Sequence, residues 1–238
     1  MTVNAGVNRL LDALPLRESR RLRRASSPVF LDIETVLFEP GEPIDFVDFP
    51  RNCVVSLVTL FQEGTSVEVA MIGNEGIVGV PMRRGGSLAF RAISSVAGWV
   101  DRMDATWFVE EVKADRHLRE LVNDYVRALF GEIAQAAACN RLHSNEERLS
   151  RWLLMSQDRV GADEFAVTHE VLGQILGSRR ATVTLSAESL RAAGLISYAR
   201  GRVTIIDRVG LETAACECYR AITLELDGVV RRAHERRP

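Results

Sequence analysis

Two adjacent arginines, Arg179 and Arg180, follow Gly177-Ser178 and precede Val183, Ala187 and Leu190, whose spacing marks the inward face of a helix. A guanidinium in the first turn of an exposed helix can donate two parallel hydrogen bonds to O6 and N7 of a guanine. Ser178, Thr182 and Thr184 add short hydroxyl donors suited to phosphates or base edges. Arg200 and Arg202 lie further along and would reach neighbouring phosphates. From Thr168 to Arg208 six arginines stand against Glu170, Glu188 and Asp207, while the whole chain of 238 residues has a net charge of −2. Any contact with nucleic acid must therefore come from this local patch.

The surrounding residues describe the elements that would hold these side chains. Thr168 is an N-cap for a helix over 169–176, which starts at His169 and buries Val171 or Leu172, and Ile175. Gly173 is small where a second helix would cross closely, and Gly177 sits where the turn between helices wants a positive φ. A second helix begins at Ser178-Arg179-Arg180 and ends at Ala193-Gly194, with Gly194 as its left-handed cap. Leu195 to Tyr198 and Val203 to Ile206 are strands joined by the turn Arg200-Gly201. Helix, turn, helix and hairpin make a winged helix-turn-helix. The second helix is then the one that enters the major groove, with its first turn pointing at the bases.

Other chemistries find little support. His117, His143 and His169 lack Cys, Asp or Ser partners at catalytic spacing, and neither a P-loop nor a dinucleotide fingerprint is present, so no catalytic residue and no enzyme is expected. Cys53, Cys139, Cys216 and Cys218 are few and scattered, which argues against a disulfide framework and for a cytoplasmic setting. Cys216 and Cys218 form a close pair with neither His nor further Cys beside them, an incomplete zinc site, so no metal and no cofactor is expected. No apolar run is long enough for a membrane span, and the arginine-rich start is not a signal peptide.

Upstream, Leu10, Leu11, Leu14 and Leu22 mark a short amphipathic helix or helix pair interrupted at Pro15. From Leu31 to about Asp104, short runs rich in Val, Ile and Phe alternate with turn residues, the pattern of an antiparallel sandwich or barrel. Within it, Val67, Val69 and Met71 alternate with Ser66, Glu68 and Ala70, as in a strand with one wet face. Beyond Asp104, Leu118, Leu121, Tyr125, Leu129 and Ile133 mark a long amphipathic helix ending near Asn140, whose alanine-rich end allows a second copy to approach. Another helix covers 146–157 with Leu149, Trp152, Leu153 and Ser156 on one face. The expected architecture is α+β: an N-terminal antiparallel β-roll of jelly-roll type, a long dimerisation helix and a C-terminal winged helix-turn-helix. The expected boundaries are 1–104, 105–140 and 141–238, the last including a helical tail.

Thr168 through Thr184 resembles the helix-turn-helix of the Crp–Fnr superfamily of bacterial transcription regulators, and Leu190 to Ile196 resembles its exit into the wing. Val36-Leu-Phe-Glu-Pro-Gly-Glu-Pro-Ile is similar to the first strands of that family's cyclic-nucleotide-binding-type roll, and Gly73-Asn-Glu-Gly-Ile-Val-Gly to a loop in one subgroup. The resemblance implies a homodimer that reads a palindromic DNA site and works with RNA polymerase, controlled by a small-molecule effector sensed by the roll. It also implies DNA contacts by Thr168, His169, Ser178, Arg179, Arg180, Thr182, Thr184, Arg200 and Arg202. Cyclic-AMP-binding members use a Gly-Glu pair for the ribose and an Arg-Ser or Arg-Thr pair for the phosphate. Here Gly79 is followed by Val80, and Arg91 by Ala92, so Arg91 is the one anion-binding candidate left and the effector is expected to be something other than cyclic AMP. The alternative is a vestigial pocket, with DNA binding constitutive or under a protein partner. Iron–sulfur sensing through N-terminal cysteines is not expected, since none precedes Cys53. Ala181 replaces a glutamate common in the family, and Leu185 is placed to meet a thymine methyl.

Overall fold

The structure is a computed structural model, and it describes residues 6–62, 65–80 and 86–237. The N-terminal leucines form two short helices, α1 (Arg9–Ala13) and α2 (Leu16–Ala25), with Pro15 between them. Leu10, Leu11, Leu14 and Leu22 are all buried. Asn8 caps α1 by accepting from the amides of Leu10 and Leu11, and its own amide donates to the carbonyls of Pro50 and Gly76.

Seven strands follow: β1 (Ser27–Leu31), β2 (Val36–Phe38), β3 (Phe46–Pro50), β4 (Val54–Leu60), β5 (Ser66–Ile72), β6 (Arg91–Val96) and β7 (Gly98–Asp104). They pair antiparallel into two sheets, β1-β7-β3 and β2-β6-β4-β5, which is the expected roll. The expected wet face of β5 is corrected: Glu68 and Ala70 are buried, while Val67 and Val69 are only partly covered. Helices cover the side that carries Glu68. Its carboxylate accepts from the Ser56 hydroxyl and, at 3.3 Å, from Trp152 Nε1.

The helical stretch after Asp104 is divided. Asp115 adopts an extended conformation between α3 (Ala105–Ala114) and α4 (Arg116–Leu142), and its carboxylate caps α4 through the Leu118 amide. α5 (Asn145–Val160) begins with a reciprocal capping box between Ser144 and Glu147. Beyond it lie β8 (Glu164–Ala166), α6 (His169–Leu176), α7 (Arg180–Ala192), β9 (Ile196–Ala199), β10 (Arg202–Ile205), α8 (Arg208–Ala214) and α9 (Cys218–Glu235). The sheet order β8-β10-β9 places the wing hairpin beside a third strand. Helix α9 returns along α4, where Arg236 reaches the buried carboxylate of Asp124 at 2.6 Å. It also meets α1, through Arg9 and Asp227 at 2.6 Å.

The glycines of the Gly73-Asn-Glu-Gly segment have a structural reason. A Cβ on Gly73 would collide with the Arg159 side chain at 2.4 Å, and one on Gly76 would meet the Tyr125 hydroxyl at 2.8 Å. Arg159 pairs with Glu75 at 2.7 Å, and the Tyr125 hydroxyl donates to the Ile77 carbonyl at 3.0 Å. The loop thereby joins the roll to α4 and α5. Glu132 lies in the same buried group and accepts from the Met71 amide at 3.0 Å. Burial pushes its carboxyl up to about 7, against the opposing pull of Arg159 and the Met71 amide; Glu75 and Glu68 push it further up.

A raised acid binds its proton more tightly in the folded than in the unfolded chain. Its contribution to stability is present at low pH and lost as pH rises through about 7. Glu132→Gln should therefore flatten the fall in Tm between about pH 4.5 and 7 and leave the variant the more stable above pH 7, by an amount on the order of a few kcal/mol. Thermal melts across that range check it. Parallel wild-type and variant profiles would refute the assignment.

Candidate nucleic-acid interface

Local chemistry alone sets up the helix-turn-helix. The Thr168 hydroxyl accepts from the Val171 amide at 3.2 Å and caps α6. Gly177 takes φ 59°, ψ 36°, so the chain turns in the left-handed region, and the Gly177 amide returns to the carbonyls of Gly173 and Gln174. Gly173 leaves room for the backbone entering α7: an added Cβ would stand 3.1 Å from the Ser178 carbonyl oxygen. Val171, Leu172 and Ile175 of α6 and Val183, Ala187 and Leu190 of α7 are buried against one another and α5. Gly194, at φ 74°, ends the second helix as expected. Arg200 and Gly201, both at positive φ, form the wing turn.

The scaffold leaves Arg179 and Arg180 exposed at the start of α7, the first as N-cap residue and the second as first helical residue. Neither forms an ion pair among the described residues. Two exposed guanidiniums on one turn suit a polyanion. An open recess of about 500 Å³ lies beside them, bounded on the other side by Thr65 and Ser66 of the roll. The roll also touches the turn directly. Ser66 Oγ donates to the Gln174 carbonyl at 3.2 Å, and a Cβ on Gly177 would strike Val67 at 2.5 Å.

The other expected contacts are placed differently from one another. The Ser178 hydroxyl donates to Asn145, at the start of α5, so it anchors the turn. Thr182 is half-buried on α7. The Thr184 hydroxyl donates to the Arg180 carbonyl at 3.0 Å and lies 3.0 Å from His169 Nδ1. His169 stacks on Tyr198, with ring centroids 4.4 Å apart. Burial first, then the charge of Arg180, lowers its pKa, so the ring stays neutral at physiological pH. Tyr198 fixes the pair by donating to the Val167 carbonyl at 2.6 Å. This His169–Tyr198–Thr184 brace joins wing and recognition helix, and the alternating apolar pattern of the wing carried no sign of it. Arg148, from α5, donates to the Leu176 carbonyl at 2.6 Å and steadies the same turn. On the wing, Arg200 is exposed and Arg202 pairs with Glu164 across the sheet. Leu185 projects to solvent, 67% exposed.

In the roll, Arg91 lines a recess with Glu34, Val58 and Ser95, but its charge is already paired. Its guanidinium is held by both oxygens of Glu39, at 2.9 and 2.7 Å, and an anion would have to displace that carboxylate. Val80 and Ala92 are buried.

The histidine reading needs one correction. His143 has partners that sequence spacing hides: Cys218 Sγ is 3.6 Å from its Nδ1 and Glu217 is 3.2 Å from its Nε2.

Residues 147–214 match the family model described as Crp-like helix-turn-helix domain. The chain is 25% identical over 186 residues to the global nitrogen regulator of Synechococcus elongatus, covering 74% of this chain and 83% of the relative. It is 24% identical over 193 residues to the global nitrogen regulator of a Synechocystis species, covering 76% and 84%. Among solved structures, FixK2 from Bradyrhizobium japonicum superposes with a TM-score of 0.67 at 15% identity, covering 80% of this chain and 98% of that one. TTHB099, a CRP-family transcriptional regulator from Thermus thermophilus, gives 0.64 at 20% identity, covering 79% and 96%. At such identities the structural likeness speaks for the fold. No helix among the described residues is long and apolar enough to cross a membrane.

Proposed function

We infer that this chain, a Crp–Fnr superfamily protein with a DNA-binding helix-turn-helix, regulates transcription as a homodimer reading a palindromic duplex, under a roll that answers to an effector other than cyclic AMP. The observation that carries the DNA reading is the pair Arg179 and Arg180, exposed at the start of α7 and without ion-pair partners among the described residues. Placed in a major groove, that turn offers bidentate donors to guanine, with Arg200 on the wing within reach of the flanking backbone. Ser178, Thr184 and His169 act from behind, holding the turn and the wing in register.

Residues up to 104 would form the sensor, α4 the dimer helix, and 141–238 the DNA-binding unit with its helical tail. Support for the dimer comes from α4 itself. One side is covered by the roll and α9, while Phe130, Ala134 and Ala137 lie exposed on the other at helical spacing, Phe130 with 74% of its surface free. A two-fold axis along that face would bury it against its own copy.

The effector reading rests on Val80, Ala92 and the Arg91–Glu39 pair. Together they remove an acidic ribose ligand, a phosphate hydroxyl and a free guanidinium. The same three features also favour a second reading, in which the roll binds nothing and DNA recognition is constitutive or governed by a protein.

Selection from random duplexes by the full-length protein, with and without cyclic AMP, tests the inference. The expected result is one palindromic consensus, enriched equally in both arms. Failure to enrich any sequence in either arm, and again with a small-molecule cell extract added, would remove the DNA reading, and enrichment only with cyclic AMP would remove the effector reading.

A further inference from the structure

Two segments more than 70 residues apart in sequence bring four metal-binding side chains together where α4 ends and α9 begins. Cys139 lies in the last turn of α4, and His143 follows one turn later at the helix cap. Cys216 and Cys218 flank the start of α9. The three sulfurs and one imidazole nitrogen all lie within 4.8 Å of one another, and Cys139, Cys216 and Cys218 form a buried cluster separate from the main core. Proximity in space thus completes the Cys216–Cys218 pair that looks unfinished in sequence.

The geometry points to a Cys3His site for a single zinc ion. A tetrahedral zinc with sulfur at about 2.3 Å and nitrogen at about 2.0 Å has donor–donor edges of roughly 3.5–3.8 Å. Here Cys139 and Cys216 stand 3.6 Å apart, and Cys218 and His143 Nδ1 stand 3.6 Å apart. Two of the six donor–donor distances already match edges of that polyhedron, and the rest are no longer than 4.8 Å. A cubane iron–sulfur cluster puts each thiolate on its own iron and needs a wider cage.

The surroundings also suit a metal. The outward nitrogen of His143 is 3.2 Å from Glu217, the carboxylate–histidine arrangement that orients an imidazole ligand. Gln135 Nε2 donates to Cys218 Sγ at 3.1 Å, a contact that favours a thiolate. Arg148 and Arg151, both buried, act electrostatically on the Cys139 and Cys216 sulfurs, offsetting the negative charge of three thiolates around a dication. Simple packing of small apolar thiols explains neither the inward-turned imidazole nor its carboxylate. With zinc in place, the site would pin the start of α9 to the end of α4, at the hinge between the long helix and the helix-turn-helix.

The test uses the full-length protein with any purification tag removed. Elemental analysis after zinc equilibration and buffer exchange should find one zinc per chain. Cobalt(II) added to the metal-free protein should give intense visible bands of tetrahedral coordination and thiolate-to-cobalt charge transfer in the near ultraviolet. His143→Gln, at a partly solvent-exposed ligand, should keep the fold by circular dichroism yet weaken zinc binding at least tenfold. Zinc in wild type should protect three thiols from alkylation. The proposal is overturned if the folded wild-type chain takes up no zinc, if cobalt gives only weak octahedral bands, or if Cys139 and Cys216 are found as a disulfide while zinc is ignored. None of these readouts depends on DNA.

Discussion

Arg180→Ala should weaken binding to the selected palindrome about ten- to a hundredfold per half-site, from a loss of about 1–3 kcal/mol, and should make one base position in each half-site indifferent. The size follows from what the side chain is free to do. Arg180 is exposed and forms no ion pair among the described residues, so its fork can be turned to a base. A dimer loses the contact twice. Arg202 provides the contrast, because Glu164 already compensates its charge. Arg202→Ala should lower affinity slightly and uniformly across sequences, as a backbone contact does. Fluorescence anisotropy on the consensus and on a panel of single-base variants separates the two outcomes. If Arg180→Ala retains wild-type selectivity at every base, α7 is not the reading helix.

The second large effect concerns assembly. Ala134→Glu places a carboxylate on the exposed small face of α4, where a two-fold axis would bring it against its own copy. Like charges brought together in an interface cost several kcal/mol, and the dimer should fall apart at micromolar concentration. Binding to the full palindrome should then drop by at least about a hundredfold, since the second half-site is no longer tethered. Affinity for an isolated half-site should not change. Ala134→Ser, nearly the same size and uncharged, should remain dimeric. Light scattering after size exclusion gives the first answer and anisotropy the second. A dimeric Ala134→Glu protein would move the interface off this face.

Where the sequence was legible, the cause was local. Thr168, Gly177 and Gly194 each act within a few residues of themselves, through a cap or a positive φ, and both helices of the motif lie where those residues put them. The arginines stood out because the segment 168–208 holds six of them against three acidic residues. Glu68 was not, because alternation in β5 says which residues share a face but not whether a helix covers that face. Trp152 and Ser56 are what make the carboxylate tolerable inside. The stacking of His169 on Tyr198 was not legible either, because that arrangement exists only after the wing folds over α6. The Cys–His group was invisible for the plainest reason: its halves are held together by the return of α9 along α4, and periodicity in one helix does not name its neighbour.

The meeting of α1 with α9 bears on how the chain reaches this shape during synthesis. Arg9 pairs with Asp227, and the Arg237 guanidinium donates to the Ala13 carbonyl, contacts spanning 218 and 224 residues. On a ribosome, α1 emerges long before α9, the partner for its outer side. The roll and α4 must therefore wait with the seat of α9 bare while the helix-turn-helix between them is made. Closing a loop of that length late costs little extra entropy, but it leaves apolar surface open to chaperones and to neighbouring nascent chains. Pulse-labelled ribosome complexes stalled before residue 218 should be markedly more chaperone-bound than complexes stalled beyond residue 238 with enough linker to clear the exit tunnel.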